Sequence, residues 1–312
     1  MSGLIRVHDL VDQGNDGRAI RRSAAHGDLK YIERGQYLPT REWNELDADT
    51  QYRLRIHAFA EAARTTQVFS HWSALALWGY PTITRWPSAV HVTLGLGNGQ
   101  RSSNRVARHI SDLPDDDVVE HDGLYVTSPV RTLVDLARIA PFANGVAAID
   151  RALARVGTNL GTAPPVERGE LIERAERLDG HLGIRRLRSV IEFADGRSGS
   201  PGESHSRVQI ARLRLPKPEL QFEITDLDGR TWHSDFGWPK YRQLGEFDGM
   251  AKYTRNRYLK GKDVAEVVIE EKLREDAIRL ASGFGMVRWI SSVAYDLVKL
   301  RRLLVAAGLR IE

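Results

Sequence analysis

Cysteine is absent from the 312-residue sequence, and so are long apolar runs. Without cysteine, disulfides and thiolate metal sites are excluded, a composition typical of a protein of the reducing cytoplasm. No apolar run approaches the roughly 20 residues that a membrane-spanning helix needs. The first nine residues contain an arginine, a histidine and an aspartate, which argues against a secretory signal peptide. We therefore expect a cytoplasmic protein that makes no contact with a membrane.

A strong excess of charge is also lacking, since the formal net charge is only +4 and the isoelectric point is about 9.3. This balance permits a nucleic-acid partner without requiring one, because binding depends on clustered charge. The chain is long enough for two or three domains, and the Gly- and Ser-rich residues 195–200 predict a linker. We predict an α+β protein with a winged helix-turn-helix over residues 1–45, a mixed helical and strand domain over 46–195, and a third domain over 196–312.

The N-terminal residues have the outline of a winged helix-turn-helix. Apolar residues between Leu4 and Val11 predict a short helix, and residues 18–26 predict a second one. An alternating stretch over residues 29–38, interrupted by Gly35, predicts a hairpin. In this motif the second helix enters the major groove and the hairpin lies along the DNA backbone.

Basic side chains are concentrated in this N-terminal unit. Three occur on the second predicted helix and two on the hairpin: Arg18, Arg21, Arg22, Lys30 and Arg34. We predict that they bind double-stranded DNA, because clustered positive charge on a helix and hairpin of this kind attracts phosphate. The alternative is a helix face that is merely solvated.

The middle region contains helix and strand signals but no catalytic constellation. Ser128-Pro129 combines an N-cap residue with proline at the first helical position, which marks a helix start. His71, His91 and His109 do not share a metal-ligand spacing, so satisfied or exposed histidines are favoured over metal ligands.

Two acids inside strand-like segments mark the C-terminal region. A helix opens at Ser200-Pro-Gly-Glu203, and three antiparallel strands are predicted over residues 219–225, 230–238 and 243–248. Period-two alternation predicts that one face of the second strand carries Trp232, Phe236 and Trp238. It places Asp235 on the other face, where Glu246 of the third strand can meet it.

Acids inside strands are costly to bury and form sheet poorly. A divalent cation between Asp235 and Glu246 would offset their repulsion, and phosphodiester hydrolysis needs Mg²⁺ held by one or two carboxylates. A purely structural pair would need cationic partners instead, and His233 and Arg242 are the nearest in sequence. The pattern therefore predicts a metal site, with an ion-paired cluster as the alternative.

The same motifs resemble those of a known nuclease family. Ser-Pro-x-Glu at residues 200–203, Asp-Phe-x-Trp at 235–238 and Glu-x-Asp-Gly at 246–249 are similar to nuclease-like domains related to very-short-patch repair endonucleases, of the PD-(D/E)xK superfamily. Residues 271–279 and 285–289 resemble the later helix and final strand of that domain. The resemblance covers roughly residues 200–295, and it implies a restriction-endonuclease-like α/β/α fold that uses Mg²⁺ or Mn²⁺ if it is active.

This resemblance implies roles for individual residues. Asp235 and Glu246 would bind the metal, and Glu203 would support the metal or its water. The family's cation normally stands two residues after the second acid, where this sequence has Asp248. That position departs from the family pattern, so the family's catalytic activity does not follow for this chain.

A lysine from elsewhere could replace the missing cation. Lys252 and Lys272 are the candidates, and a fixed cation near developing phosphate charge would supply about 3–4 kcal/mol. Each residue also has a structural alternative. Lys252 lies in a basic stretch, Lys272 has the spacing of a helical ion pair with Asp276, and Glu203 has the capping-box spacing after Ser200.

Two stretches nearer the N-terminus carry a second resemblance. Phe69-Ser-His-Trp-Ser-Ala-Leu-Ala-Leu-Trp-Gly79 and Ser128-Pro-Val-Arg-Thr-Leu-Val-Asp-Leu-Ala137 resemble AbiEi-type antitoxin-like regulators of actinobacteria. This resemblance implies a DNA-binding transcriptional regulator of a toxin–antitoxin system, with a cognate toxin protein as a further partner. Two alternatives stay open: an active Mg²⁺-dependent DNA endonuclease targeted by its winged helix, and an interaction protein that binds a toxin.

Overall fold

The computed structural model describes residues 4–7, 17–154, 163–226, 228–249, 274 and 278–311. These residues form a mixed α+β fold with three β-sheets, which confirms the α+β part of the predicted fold class; the winged helix-turn-helix and the restriction-endonuclease-like domain stay predictions. Among them, no helix is both long and apolar enough to cross a membrane.

Contacts divide the chain into two compact units. The first unit comprises residues 1–140 and 161–188, and the second comprises residues 141–160 and 189–312. The domain boundaries expected after residues 45 and 195 stay predictions.

The first sheet contains the predicted hairpin. Its strands are β1 (Ile5–Arg6), β2 (Leu29–Glu33) and β3 (Gln36–Pro39), in the order β1-β3-β2. Helix α1 (Gly17–His26) precedes the hairpin, which turns at Gly35 with φ +73°. The second predicted helix and the hairpin are therefore confirmed as secondary structure.

The short helix expected from Leu4 to Val11 is wrong at its start. Ile5 and Arg6 form a strand that pairs antiparallel with β3. Periodicity alone cannot assign a short apolar run to helix or strand, and here the edge of β3 supplies the hydrogen-bonding partners. Residue 7 has helical backbone, and residues 8–16 lie outside the described residues.

One helix is shared between the hairpin and the second sheet. Helices α2 (Thr40–Glu45) and α3 (Ala48–Ala62) follow β3. Leu54 of α3 is buried with the hairpin residues, and Ile56 is buried with the second sheet. Opposite faces of α3 therefore contribute to two neighbouring cores of the first unit.

The second sheet contains parallel and antiparallel strand pairs in the order β6-β5-β4-β8-β7. Its strands are β4 (Val68–Phe69), β5 (Val90–Leu94), β6 (Val106–Ile110), β7 (Val118–His121) and β8 (Leu124–Thr127). Helix α4 (His71–Leu77) follows β4, and a 3-10 turn at Asp115–Asp117 leads into β7. Valine occurs in each of these strands, as expected for β-branched residues on a pleated surface.

In the part of the chain that the structure describes, four helices lie between this sheet and the third one. They are α5 (Pro129–Ile139), α6 (Phe142–Leu153), α7 (Arg168–Glu176) and α8 (Ile184–Phe193). The Ser128 side chain caps α5 by accepting from the Arg131 amide at 3.4 Å, so the predicted helix start is confirmed. Helix α7 packs on α5 within the first unit, whereas α6 belongs to the second unit.

The third sheet contains the predicted meander and one additional strand. Helix α9 (Pro201–Arg212) precedes β9 (Glu219–Thr225), β10 (Thr231–Trp238) and β11 (Gln243–Asp248). The additional strand, β12 (Gly285–Ile290), pairs parallel with β11, and the order is β12-β11-β10-β9. Helices α10 (Ser291–Ala294) and α11 (Leu297–Ala306) follow β12.

Helix α9 lies directly against the aromatic face of the third sheet. A Cβ on Gly202 would stand 1.9 Å from the Phe247 ring, so this approach requires glycine. The Trp289 indole donates to Ser206 Oγ at 2.9 Å. This packing fixes the first turn of α9, which carries Glu203.

The aromatic residues of β10 do not share one face, contrary to the period-two prediction. Phe236 and Trp238 belong to the core beneath α9 and α11, whereas Trp232 packs in a separate cluster with Ile224. On the paired strand β9, Gln221 adopts a left-handed conformation with φ +49°. The β9–β10 register pairs Ser234 with Phe222 and Phe236 with Leu220 but does not include Asp235 and Gln221, so the regular pairing is interrupted between Trp232 and Phe236.

Candidate functional site

Helix α1 presents a basic face to solvent. Ile20 is buried on its inner side, so the opposite side faces outward. The five basic residues selected from the sequence are all exposed: Arg18, Arg21, Arg22, Lys30 and Arg34. The Thr40 hydroxyl donates to the Gly27 carbonyl at 2.6 Å, which ties the end of α1 to the end of the hairpin.

Asp235 and Glu246 lie opposite each other in the third sheet. Phe236 pairs with Gly245 in the β10–β11 register, and the next position along this register sets Asp235 against Glu246. Burial is the main cause that raises the pKa of Glu246, and the charge of Asp235 adds to the rise. The structure therefore brings the two acids selected from the sequence together.

Both carboxylates already have protein partners. An Asp235 oxygen accepts from the Phe247 backbone amide at 2.8 Å. One oxygen of the buried Glu246 lies 2.6 Å from Arg274 Nη2, and the other lies 3.0 Å from Arg288 Nη2. These two arginines oppose the effect of burial on the pKa of Glu246.

The cationic partners of Glu246 are Arg274 and Arg288. They are not His233 and Arg242, the cations nearest to the two acids in sequence. Local sequence patterns do not indicate these two arginines, because both lie far from Glu246 along the chain. Strand β12 pairs in parallel with β11 and sets Arg288 beside Glu246 in register. The signal available in the sequence was the strand-like apolar stretch at residues 285–290, which contains a single arginine, Arg288.

The surroundings of Glu246 do not fit a divalent cation. Each of its oxygens faces a guanidinium group, and a metal ion bound there would experience the repulsion of both charges at short range. Within the described ranges, no group of three or more His, Cys, Asp or Glu side chains is arranged to hold a metal ion.

Glu203 is buried in the first turn of α9, where it has a structural role. Ser200 Oγ accepts from the Glu203 amide at 3.2 Å, which makes Ser200 the N-cap. The Glu203 carboxylate accepts from the Gly199 amide at 2.7 Å and from Gln221 Nε2 at 3.3 Å. Glu203 therefore links the start of α9 to strand β9.

The remaining residues of the predicted nuclease site are only partly placed. Asp248 is half-buried at the end of β11. Lys252 and Lys272 lie outside the described residues, as does the expected ion pair between Lys272 and Asp276.

Three histidines of the first unit lie together, although their spacing in the sequence does not indicate it. The His71 ring stacks on His109 with 3.6 Å between centroids, and His91 Nδ1 lies 3.0 Å from His109 Nε2. His71 Nδ1 also lies 2.9 Å from Ser70 Oγ. Burial lowers the pKa of each histidine, that of His91 to about 4. The histidines form a neutral packed cluster at pH 7, in line with the expectation of satisfied side chains.

The motif at residues 128–137 contains a buried ion-pair network as well as apolar residues. Arg131 is 4% exposed. Its Nε and Nη1 donate at 2.6 Å to Asp135 and Asp117, and its Nη2 donates at 2.8 Å to Ser111 Oγ. The network joins α5 to the turn before β7, so this part of the motif is explained by folding.

Residues 76–193 match the AbiEi antitoxin C-terminal domain. The match contains the motif at residues 128–137 and overlaps the end of the motif at 69–79. It ends before residue 200, where the resemblance to nuclease-like domains begins. The match supports an antitoxin-like regulatory role, for which DNA and a toxin protein are the expected partners.

Two relatives come from Mycobacterium tuberculosis: the uncharacterised proteins MT2308 of strain CDC 1551 / Oshkosh and Rv2248 of strain ATCC 25618 / H37Rv. Each is 29% identical over 231 residues, which cover 67% of this chain and 77% of the relative. A crystal structure of the RV2827C protein from the same species aligns with a TM-score of 0.39 and 16% identity, over 65% of this chain and 75% of that chain.

Proposed function

We propose that this protein is a DNA-binding regulator of the antitoxin type whose C-terminal region has a nuclease-like arrangement that does not cleave DNA. The observation that carries the DNA-binding part is the exposed arginine face of α1 beside a hairpin that is also basic. The match of residues 76–193 to an antitoxin domain supports the regulatory part.

The geometry of α1 is suited to a duplex. Its ten residues give a length of about 15 Å, and an α-helix fits into the major groove. Arg21 on α1 and Arg34 at the hairpin turn would then contact phosphates on either side of the helix. Each neutralised phosphate releases condensed counterions, so binding becomes weaker as salt increases.

The test uses the full chain, a fluorescein-labelled duplex of mixed sequence and anisotropy titrations at several KCl concentrations. Arg21→Ala or Arg34→Ala should weaken binding and reduce the slope of log K against log salt by about 0.9. Arg177→Ala removes an exposed arginine that pairs with Glu173 and should change neither quantity. If the slopes of all three variants equal that of the wild type, the basic surface does not bind DNA.

The acidic cluster supports the non-cleaving part of the proposal. A working metal site needs carboxylate oxygens that are open to the cation and to the substrate phosphate. In this chain, Arg274 and Arg288 neutralise the Glu246 carboxylate. Asp248 also stands where the nuclease family that these motifs resemble has a cation. We infer that the C-terminal region contributes to binding or to the folded structure and does not cleave DNA.

A Mg²⁺-dependent endonuclease is the second candidate. It is favoured by one observation: Asp235 lies close enough to Glu246 to raise its pKa, as paired nuclease acids would. Wild-type protein and Asp235→Ala should be incubated with supercoiled plasmid over a range of Mg²⁺ and Mn²⁺ concentrations. Nicking by the wild type that Asp235→Ala abolishes would overturn the non-cleaving part and leave the DNA-binding part intact.

We also propose a cognate toxin protein as a partner, because the matched domain belongs to an antitoxin family. The test is co-purification of this chain with the product of a toxin-like reading frame beside its gene. If the chain binds DNA but does not associate with that product, the proposed regulatory function stands and the proposed toxin partner is wrong.

A further inference from the structure

A loop outside the hairpin carries additional positive charge. Residues 95–105, which we name the glycine–arginine loop, connect β5 to β6 and contain three glycines and two arginines. All of these residues are exposed. The stretch from Ala62 to Ser111 around them contains no aspartate or glutamate, although acids make up 41 of the 312 residues. At this chain's own frequency of acids, fifty residues would contain about seven.

The end of the glycine–arginine loop is fixed to the hairpin. Arg105 donates to the Tyr31 hydroxyl and pairs with Glu33 at 3.2 Å. Its guanidinium carbon lies 4.6 Å from the centroid of the Tyr31 ring. Both partners lie on β2, the outer strand of the first sheet. The loop therefore extends from the edge of the same hairpin that carries Lys30 and Arg34.

The backbone around Arg101 is also held in place, while its side chain faces solvent. Arg108 Nη1 donates to the Arg101 carbonyl at 2.7 Å, and the Arg108 amide donates to Ser102 Oγ at 2.9 Å. These bonds close the base of the glycine–arginine loop. The exposed charge of Arg101 consequently has a defined position relative to the hairpin, because Arg105 fixes the same segment.

We propose that the glycine–arginine loop binds the phosphate backbone of DNA beyond the hairpin and lengthens the contact made by α1 and β2–β3. The proposal rests on the proposed function. A hairpin of this kind lies along the DNA backbone, so a basic segment at its outer edge meets the next phosphates. Arginine side chains and exposed backbone amides are the usual phosphate donors. The loop has no acid of its own, and the neighbouring Glu33 is paired with Arg105.

The test measures duplex binding by the full chain at KCl concentrations from about 50 to about 200 mM, the range over which phosphate contacts change affinity most clearly. Arg101→Gln should raise Kd several-fold and reduce the salt slope by about 0.9. Gln100→Glu adds a negative charge to the same loop, leaves Arg101 in place and should also raise Kd. Arg177→Gln is the matched control for the loss of one exposed arginine.

The possible outcomes separate this proposal from the one on which it rests. If Arg21→Ala weakens binding while Arg101→Gln and Gln100→Glu bind like Arg177→Gln, the loop is not a DNA contact and the regulator stands. If the wild type binds no duplex at any salt concentration, both proposals fail. Circular dichroism checks the fold of each variant. If Arg101→Gln does not fold, the result for Gln100→Glu decides the test.

Discussion

Glu246 has a guanidinium group at each carboxylate oxygen, from Arg274 and Arg288. Its spacing from Asp235 satisfies the pattern of a metal-binding pair, and the sequence could reveal that much. It could not reveal which cations would fold beside the pair. Arg288 reaches Glu246 through the parallel pairing of β11 and β12, a long-range contact for which local patterns give no register. The cationic partners, and not the acids themselves, distinguish an ion-paired cluster from a metal site.

Glu246→Gln distinguishes these two arrangements through stability. In an ion-paired cluster, removing the carboxylate leaves two partly buried arginines without their counter-charge, which should cost about 3 kcal/mol. In an open acidic site the same change relieves repulsion with Asp235 and should stabilise the fold. Urea unfolding of the full chain provides the measurement. Glu223→Gln, an exposed change in the same sheet, is the control and should have little effect.

At the scale of elements, strands with strong turn signals could be predicted and short or irregular ones could not. The bounds of β9 and β11 agree with the sequence prediction because prolines, glycines and charged turns border them. The strand at Ile5–Arg6 was mistaken for helix, since two residues carry no periodicity. Trp232 lies outside the aromatic core of Phe236 and Trp238, and between them the β9–β10 pairing is interrupted at the left-handed Gln221, a conformation that no sequence rule predicts for glutamine.

The histidine cluster formed where α4 packs against β5 and β6 makes the stability of the fold depend on pH. Burial, with the charge of His109, lowers the pKa of His91 to about 4, below the ordinary value of about 6.5. The unfolded chain therefore binds a proton at a pH where the folded chain does not. The stability that this histidine contributes is complete above pH 6.5 and is lost as the pH falls towards 4.

Urea unfolding at several pH values measures that loss, which should approach about 3 kcal/mol for His91 at the acid end of the range. His91→Asn keeps a polar group but removes the titration, so its stability should fall less between about pH 7 and pH 5. The comparison concerns the pH dependence, because the substitution also lowers stability at neutral pH. Equal pH dependence in the variant and the wild type would contradict the role of this cluster.

At the scale of the whole molecule, the two compact units are not continuous in sequence. Helix α6 precedes the predicted linker by some forty residues, yet it belongs to the second unit. Asp150 of α6 pairs with Arg207 of α9 at 2.7 Å, and Ser204 donates to the same carboxylate at 2.6 Å. A Cβ on Gly196 would stand 2.3 Å from the Leu153 carbonyl. The Gly- and Ser-rich stretch at residues 195–200 is therefore packed against α6, which composition alone could not show.

Two truncated chains test this arrangement. A chain of residues 196–312 loses α6, so Arg207 keeps a buried charge without Asp150, at a cost of about 3–5 kcal/mol, and the apolar face of α9 loses its cover. A chain of residues 141–312 retains all of these contacts. We expect cooperative thermal unfolding for the longer chain, and for the shorter one a broad transition with dye binding to exposed apolar surface. If residues 196–312 unfold as cooperatively as residues 141–312, the boundary at residue 195 predicted from the sequence is the real one and α6 is not part of the C-terminal fold.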